Sequence, residues 1–536
     1  MEHWITFSIT TLYFVILCLV ALYGFHRYVL VYLYVKHRHN LHRPPKIFEE
    51  SELPYVTVQL PMFNEDMVAE RVIAATCRMD YPRDRFEVQV LDDSTDHSAE
   101  IAESACREWA AKGINIVYLH RKNRDGFKAG ALQEGMKVAK GQFIAIFDAD
   151  FIPPPDLLRN VINHFSDEKV GMVQVRWDHL NRDASILTKS QAIFLDGHFV
   201  IEHTARNRSG RFMHFNGTAG VWRRKTIEEA GGWQHDTLTE DLDLSYRAQL
   251  KGWQFVYLPQ YVAPAELPPE MVSFKQQAHR WTKGSMQTAI KLLPRILSSK
   301  LPWSIKSEAF FHLTCTVVYP LMVLMTLLMY PTFIFNLSPV KINQSPMIPA
   351  LQPNAEWSGP VMNNWLFGLS LFVLATCSAS TFFIYAQKEL FGRLAGWKTL
   401  FHLPFIMALG VGVCVNNTKA VIEAIISMIR RKPAEFVRTP KYGVTGKHQK
   451  VVMRDAPKFN FSKLCLPAIE IAFGIYMLSF IVISIKYSAA LTTIPFLMIF
   501  AGGYLYVGCS TLWVLYRRHQ DALAVLEETE KKTQVA

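Results

Sequence analysis

The chain has 536 residues, 50% hydrophobic and 12% aromatic, with a formal net charge of +11. That length exceeds one ordinary domain, and the basic excess follows juxtamembrane Lys and Arg without any recognisable nucleic-acid module. Eight cysteines with no CxxC pair read as small core or lipid-facing residues, not as a disulfide framework or a zinc site.

The first apolar block, "WITFSITTLYFVILCLVALYGF" at 4–25, has its basic residues after it, at His26, Arg27 and "KHRH". A cleavable signal peptide carries them before its core, so the block reads as an uncleaved membrane helix within a unit spanning 1–49. Residues 50–300 then read as a soluble insertion. "YVTVQLPMFNE" is a strand ending in a turn, "VAERVIAATCRM" a helix, and "FEVQVLDDSTD" a second strand. "HSAEIAESACREWAAKG" is helical, "INIVYLHR" a third strand, "GFKAGALQEGMKVAKG" a helix and "QFIAIFDAD" another strand. Such alternation predicts an α/β layer with parallel strands, and ligands at the strands' carboxyl ends.

Two acidic clusters fall at those ends. Asp92 and Asp93 are either turn formers or ligand contacts. Asp148 and Asp150 are alternate residues of an extended stretch, so both carboxylates are expected to face one hard divalent cation. Lys128 in "GFKAG" either neutralises phosphate or decorates a helix start. No Walker loop, G-x-S-x-G elbow or HExxH is present. Further along, "DTLTEDLDLSYRAQLKGW" at 236–253 carries Asp236, Glu240, Asp241 and Asp243 within eight residues. They form a solvated helix face or include a catalytic base, with Thr239 as candidate cap.

Apolar blocks near 311–335, 365–386, 464–485 and 491–516 are each long enough to cross a bilayer. A sixth, 400–429, is broken by Pro404 and a polar "NNTK". The following 430–460 loop holds nine Lys or Arg against two acids, which resists export. Five crossings with a re-entrant or interfacial pair at 400–429 keep that loop cytoplasmic; six clean crossings are the alternative. The expected units are therefore 301–429, 430–460 and 461–536 after the soluble domain.

The succession "LDDS", "FDAD", "LTED" and "QAHRW" resembles the family 2 glycosyltransferases, specifically the membrane-embedded processive polysaccharide synthases. With "FNGTAGVWRRKTIEEAGGW" it looks nearer to the plant cellulose-synthase-like glucomannan mannosyltransferases and xyloglucan-backbone glucan synthases than to bacterial cellulose synthase. The resemblance implies a cytoplasmic GT-A nucleotide-sugar transferase domain, a mostly parallel sheet with helices on both faces, inserted between transmembrane helices. It implies that Asp92 and Asp93 contact the nucleotide, that Asp148 and Asp150 hold the diphosphate through Mg2+ or Mn2+, and that Lys128 lies near the donor. Asp241 becomes the general base with Glu240 orienting it. Gln277 and Arg280 grip the diphosphate, and Trp281 stacks on the acceptor. Phe215, Asn216, Gly217 and Thr218 lie on the acceptor side. "EFVRTPKYG" resembles a gating loop through Phe436, Thr439 and Lys441, although Val437 and Arg438 depart from its pattern.

The chemistry so implied is an inverting transfer of a hexose from a nucleoside-diphosphate sugar to a growing β-linked polysaccharide that leaves through the membrane. UDP-glucose is the favoured donor and GDP-mannose the alternative; a non-processive lipid glycosyltransferase is the runner-up. A transporter with a binding-only domain leaves Asp148, Asp150 and Asp241 without a role. Membrane lipid and accessory export subunits are the remaining partners expected, in a bacterial inner membrane, a plasma membrane or the Golgi.

Overall fold

A computed structural model describes residues 2–336, 360–430, 437–444, 463–486 and 493–535. Seven strands form one sheet: β1 Val56–Met62, β2 Phe86–Asp92, β3 Ile116–His120, β4 Phe143–Ile146, β5 Val170–His179, β6 Gly220–Arg223 and β7 Gln254–Ala265. Their order across the sheet is β3-β2-β1-β4-β6-β5-β7. The first four are parallel, as their alternation with helices predicts. β6 runs antiparallel to both β4 and β5, and β5 pairs parallel with β7. The result is a mixed, mostly parallel α/β layer. The reversal of β6 matters for function. It brings the residues that precede β6 to the same edge where the other strands end.

The polar alternation in "VTVQL" is not a solvent face, because both sides of β1 are buried. Val56, Val58 and Leu60 pack under the helices Ala69–Cys77 and Ser98–Ala111. Thr57 and Gln59 face the other layer, where the Thr57 hydroxyl donates to Glu87 at 2.5 Å. Buried polar groups of this kind are tolerated only when paired.

Among the described residues four helices are long and apolar enough to cross a membrane: Phe7–His37, Trp303–Thr332, Cys465–Lys486 and Ile494–Asp521. The pair Arg393–Phe401 and Leu403–Gly412 bends by 56°, and makes a fifth if it is one span. The block at 365–386 lies in the helix Pro360–Phe391. The polar centre of 400–429 has a local cause. Helix Cys414–Arg430 lies against helix Met271–Ser298 of the domain, with Asn416 donating to the Lys275 carbonyl at 3.1 Å and Gln287 to Ser427 at 2.9 Å.

Helix Met271–Ser298 also docks the domain on the last two apolar helices. Lys275 Nζ lies 2.6 Å and 2.8 Å from the two carboxylate oxygens of Glu470, with both side chains buried. Removing one member of a buried pair strands the other charge, at a cost of about 3–5 kcal/mol, whereas replacing both by apolar groups is often neutral. Lys275→Met is therefore expected to lower the unfolding temperature in detergent, and Lys275→Met with Glu470→Met to recover most of the loss.

Candidate active site

A cavity of about 160 Å³ opens at the carboxyl edge of the sheet. Its walls come from the ends of β1, β2, β4, β5 and β7, from the segment before β6, from helices Glu240–Leu250 and Met271–Ser298, and from residues 437–444. Of the residues singled out from sequence, it gathers Asp93, Lys128, Asp148, Asp150, Asn216, Gly217, Glu240, Asp241, Gln277, Arg280, Trp281, Thr439 and Lys441. Asp92, Phe215 and Thr218 do not line it and are fully buried. Phe436 lies outside the described residues.

The acids divide by their partners. Asp92 accepts from the Tyr118 hydroxyl at 2.6 Å and the Ser94 amide at 3.0 Å, so it shapes the turn after β2. Asp93 takes the two-toothed grip of Arg121 at 2.7 Å and 2.5 Å. Asp148 and Asp150 follow β4 in a turn rather than on extended backbone, so simple alternation is not what aligns them. Thr218 Oγ1 accepts the Asp148 amide at 2.9 Å, and the Phe151 amide closes onto the Asp148 carbonyl at 3.0 Å. The Asp148 carboxylate meets Lys128 at 2.5 Å and Asp150 meets Lys441 at 2.8 Å. The other Asp150 oxygen, Oδ1, is buried with no hydrogen-bond partner.

Asp241 lies in the first turn of its helix, where Oδ1 accepts the Leu242 amide at 2.8 Å. Burial above all, then the negative charge of Glu240, pushes its carboxyl up to about 7. Burial likewise raises Glu240. Thr239 does not cap this helix with its side chain; its hydroxyl meets Thr288 at 3.2 Å. Gly284 explains the competition: a methyl there would lie 2.5 Å from Thr239 Cγ2, so its absence lets helix Met271–Ser298 close on the start of the other. That approach brings Gln277, Arg280 and Trp281, spaced to share one helix face, toward Asp241. Asp243 and Asp236 take structural partners, Arg247 at 2.7 Å for the first and Lys291 at 2.7 Å for the second.

The "FNGT" segment ties the cavity together through its backbone. Lys128 Nζ donates to the Gly217 carbonyl at 2.8 Å. Ser245 Oγ accepts the Phe215 amide at 2.8 Å and donates to the Asp241 carbonyl at 2.6 Å. Gly217 has φ +79, and a methyl on it would sit 2.9 Å from Asp241 Oδ2. Lys128 is itself pulled down by burial but held above its usual range by Asp148 and Glu240.

Several wall residues have no signal in the sequence, because each is a lone side chain that only tertiary contacts bring in. Glu266 accepts the Tyr442 and Val444 amides at 2.9 Å and 3.2 Å, seating residues 437–444 over the cavity. Glu65 meets Arg438 at 3.2 Å, and burial raises its carboxyl to about 8. Arg438, which breaks the gating-loop pattern, thus has a seat of its own.

The Asp241–Glu240 pair gives a pH test. A carboxyl acts as a base only when ionised, so a raised value places loss of activity near pH 7 on the acidic side. Glu240→Gln removes one raising charge. The acidic limb of the rate profile is expected to move to lower pH, read from kcat/KM between about pH 5 and 9.

Residues 54–284 match the family described as "Glycosyltransferase like family 2". Glucomannan 4-beta-mannosyltransferase 1 of Oryza sativa subsp. japonica is 47% identical over 257 residues, 47% of this chain and 49% of that protein. Glucomannan 4-beta-mannosyltransferase 2 of Arabidopsis thaliana is 43% identical over 282 residues, 51% of this chain and 53% of that protein. The chain spans about half the length of the curated relatives it matches. A solved mannosyltransferase of Pyrobaculum calidifontis, in complex with GDP-Man and Mn2+, aligns at TM-score 0.48 and 21% identity, over 70% of this chain and 98% of that one.

Proposed function

We infer, from a chain whose residues 54–284 match the family described as "Glycosyltransferase like family 2", that the cavity transfers a hexose from a nucleoside-diphosphate sugar to the end of a β-linked polysaccharide. The observation that carries this reading is one cavity that gathers the half-buried Asp241 carboxyl with Asp148, Asp150, Lys128 and Arg280, where desolvation and Glu240 push that carboxyl up to about 7. An acceptor hydroxyl needs a proton acceptor, and a departing diphosphate needs positive charge. Both are present, and no second carboxyl is needed as a covalent nucleophile. A single displacement inverts the donor's configuration.

Asp148 and Asp150 suit a hard divalent cation such as Mg2+ or Mn2+, since the unpartnered Asp150 Oδ1 is a buried oxygen awaiting one. When bound, the cation neutralises charge on the diphosphate. The chain's own groups do the rest. Asp241 takes the proton of the acceptor hydroxyl, Lys128 and Arg280 meet the diphosphate, and Trp281 offers an aromatic face to a sugar. Residues 437–444, seated by Glu266, exclude water.

Among donors the relatives alter the expectation. They are glucomannan mannosyltransferases by name, so the preference for UDP-glucose lacks support and GDP-mannose is the donor proposed. We place the domain on the cytoplasmic face of a multi-pass membrane protein, the orientation that the nine Lys or Arg in the sequence 430–460 favour. Purified protein with Mn2+ offered GDP-mannose, UDP-glucose, UDP-galactose and UDP-N-acetylglucosamine separately is expected to release nucleoside diphosphate fastest from GDP-mannose. Release fastest from a UDP-sugar overturns the choice of donor.

A further inference from the structure

Beside the cavity, behind Asn216, lies a cluster of histidines that the transfer chemistry does not use. His198, His203 and His214 offer ring nitrogens that all fall within 4.8 Å of one another. Three imidazoles at such spacing suggest a metal first, but their surroundings point elsewhere. The Asn216 side-chain amide occupies the point on which they converge. Its Nδ2 lies 3.0 Å from His198 Nε2 and 3.2 Å from His214 Nε2, and its Oδ1 contacts His203 Nε2.

The protons fit this arrangement with one set of tautomers. Asn216 donates its two amide hydrogens to His198 and His214 and accepts one from His203. His198, an acceptor at Nε2, then carries its hydrogen on Nδ1, where Glu202 Oε2 waits at 3.0 Å. Arg206 and His198 hold the Glu202 carboxyl ionised against the opposing effect of burial. Burial, first of all, keeps His203 and His214 far below the usual histidine range, hence uncharged. A cation at the focus would have to displace the amide hydrogens.

The local backbone is shaped to build this cluster. Gly197–His203 is a π-helical turn, in which residues five apart stack, so His198 and His203 reach the same face. Pi-turns are rare and cluster at functional sites. Downstream of Asn216 the chain passes through left-handed backbone at Gly217, φ +79, and at Ala219, φ +55. A non-glycine residue there is strained, and such a turn persists only where its surroundings over-determine it. Gln174 and Ser245 hold its backbone, with Gln174 Oε1 accepting the Asn216 amide at 3.1 Å. The histidines hold its only polar side chain that enters the cavity.

We propose that His198, His203 and His214 are positioning residues for the transfer: by clamping the Asn216 amide they set the Asn216–Gly217 turn, which carries Lys128 on the Gly217 carbonyl and packs against Asp241. The proposal rests on the transferase reading for its consequence, while the clamp itself does not.

The test is a double-mutant cycle on the full chain in detergent, with His198→Ala, Asn216→Ala and both together, read in two ways. For turnover, each single change is expected to lower kcat about tenfold or more while leaving the donor KM within about threefold, since misplacement by a fraction of an ångström acts on the chemical step. The double variant is expected to be no worse than the poorer single, because a ring with no amide to hold has nothing further to lose. The same non-additivity is expected in the unfolding temperature, whatever the protein does catalytically. If His198→Ala does not fold, His198→Leu, which fills much of the ring's space but offers Asn216 no acceptor, replaces it. Multiplying losses in kcat overturn the clamp, and so does coupling in unfolding with kcat unchanged, which makes it a purely structural contact. A stoichiometric transition metal found by elemental analysis and lost in His203→Ala overturns it in favour of a metal site. A wild type that turns over no nucleotide sugar sinks the transferase reading alone, and the unfolding cycle still decides the contact.

Discussion

Replacing Asp241 with Asn is expected to lower sugar transfer about 10³-fold or more and to leave nucleoside-diphosphate binding nearly unchanged. The substitution keeps size and the acceptor oxygen that takes the Leu242 amide at 2.8 Å, so the first turn of helix Glu240–Leu250 is not disturbed. It removes only the basicity. Because desolvation disfavours the charge on this half-buried carboxyl, neutralising it also removes that cost, and the variant is expected to unfold no earlier than the wild type. Isothermal titration of the nucleotide and single-turnover kinetics separate the two effects. Loss of binding together with loss of turnover assigns Asp241 to positioning the donor instead.

The second large effect concerns Asp150. Asp150→Asn is expected to reduce Mn2+-dependent nucleotide binding by about 10²-fold or more, and chelation of divalent metal from the wild type to do the same. The reason lies in what faces Asp150 now. One oxygen is held by Lys441 at 2.8 Å and the other, buried, has no hydrogen-bond partner. An amide keeps the shape but halves the oxygen donors and removes the charge that a hard cation requires. Titrating nucleotide with and without Mn2+ is the measurement. A variant whose nucleotide affinity still rises with Mn2+ to the wild-type extent places the metal elsewhere.

How far the sequence could be read depends on what each element needed. The four parallel strands and their helices are legible, because apolar runs and glycine stops mark them locally. β5, β6 and β7 are not resolved that way: β6 is four residues long and its reversed direction is set only by pairing with β4 and β5. Asp148 and Asp150 are suggested by spacing, yet a turn braced by Thr218 aligns them, not strand alternation. Asp241 stands out from Asp236 and Asp243 only through the resemblance; on composition the three are equal. Partners separate them in space, since Arg247 and Lys291 occupy the other two. Thr239 has the right residue type for a cap but loses its hydroxyl to Thr288 across a helix contact that Gly284 permits. Glu65, Glu266 and Arg438 come from separate parts of the chain, and no local pattern foretells that they meet.

The proposed function requires one cavity, with one base, to build a β-linked polymer. The most direct measurement is linkage and anomeric analysis of the product made by purified protein from GDP-mannose and Mn2+ in the presence of an oligosaccharide primer. A high-molecular-weight product with β-linkages, absent with Asp241→Asn, is the predicted result. An α-linked product, or one lengthened by a single sugar only, contradicts it.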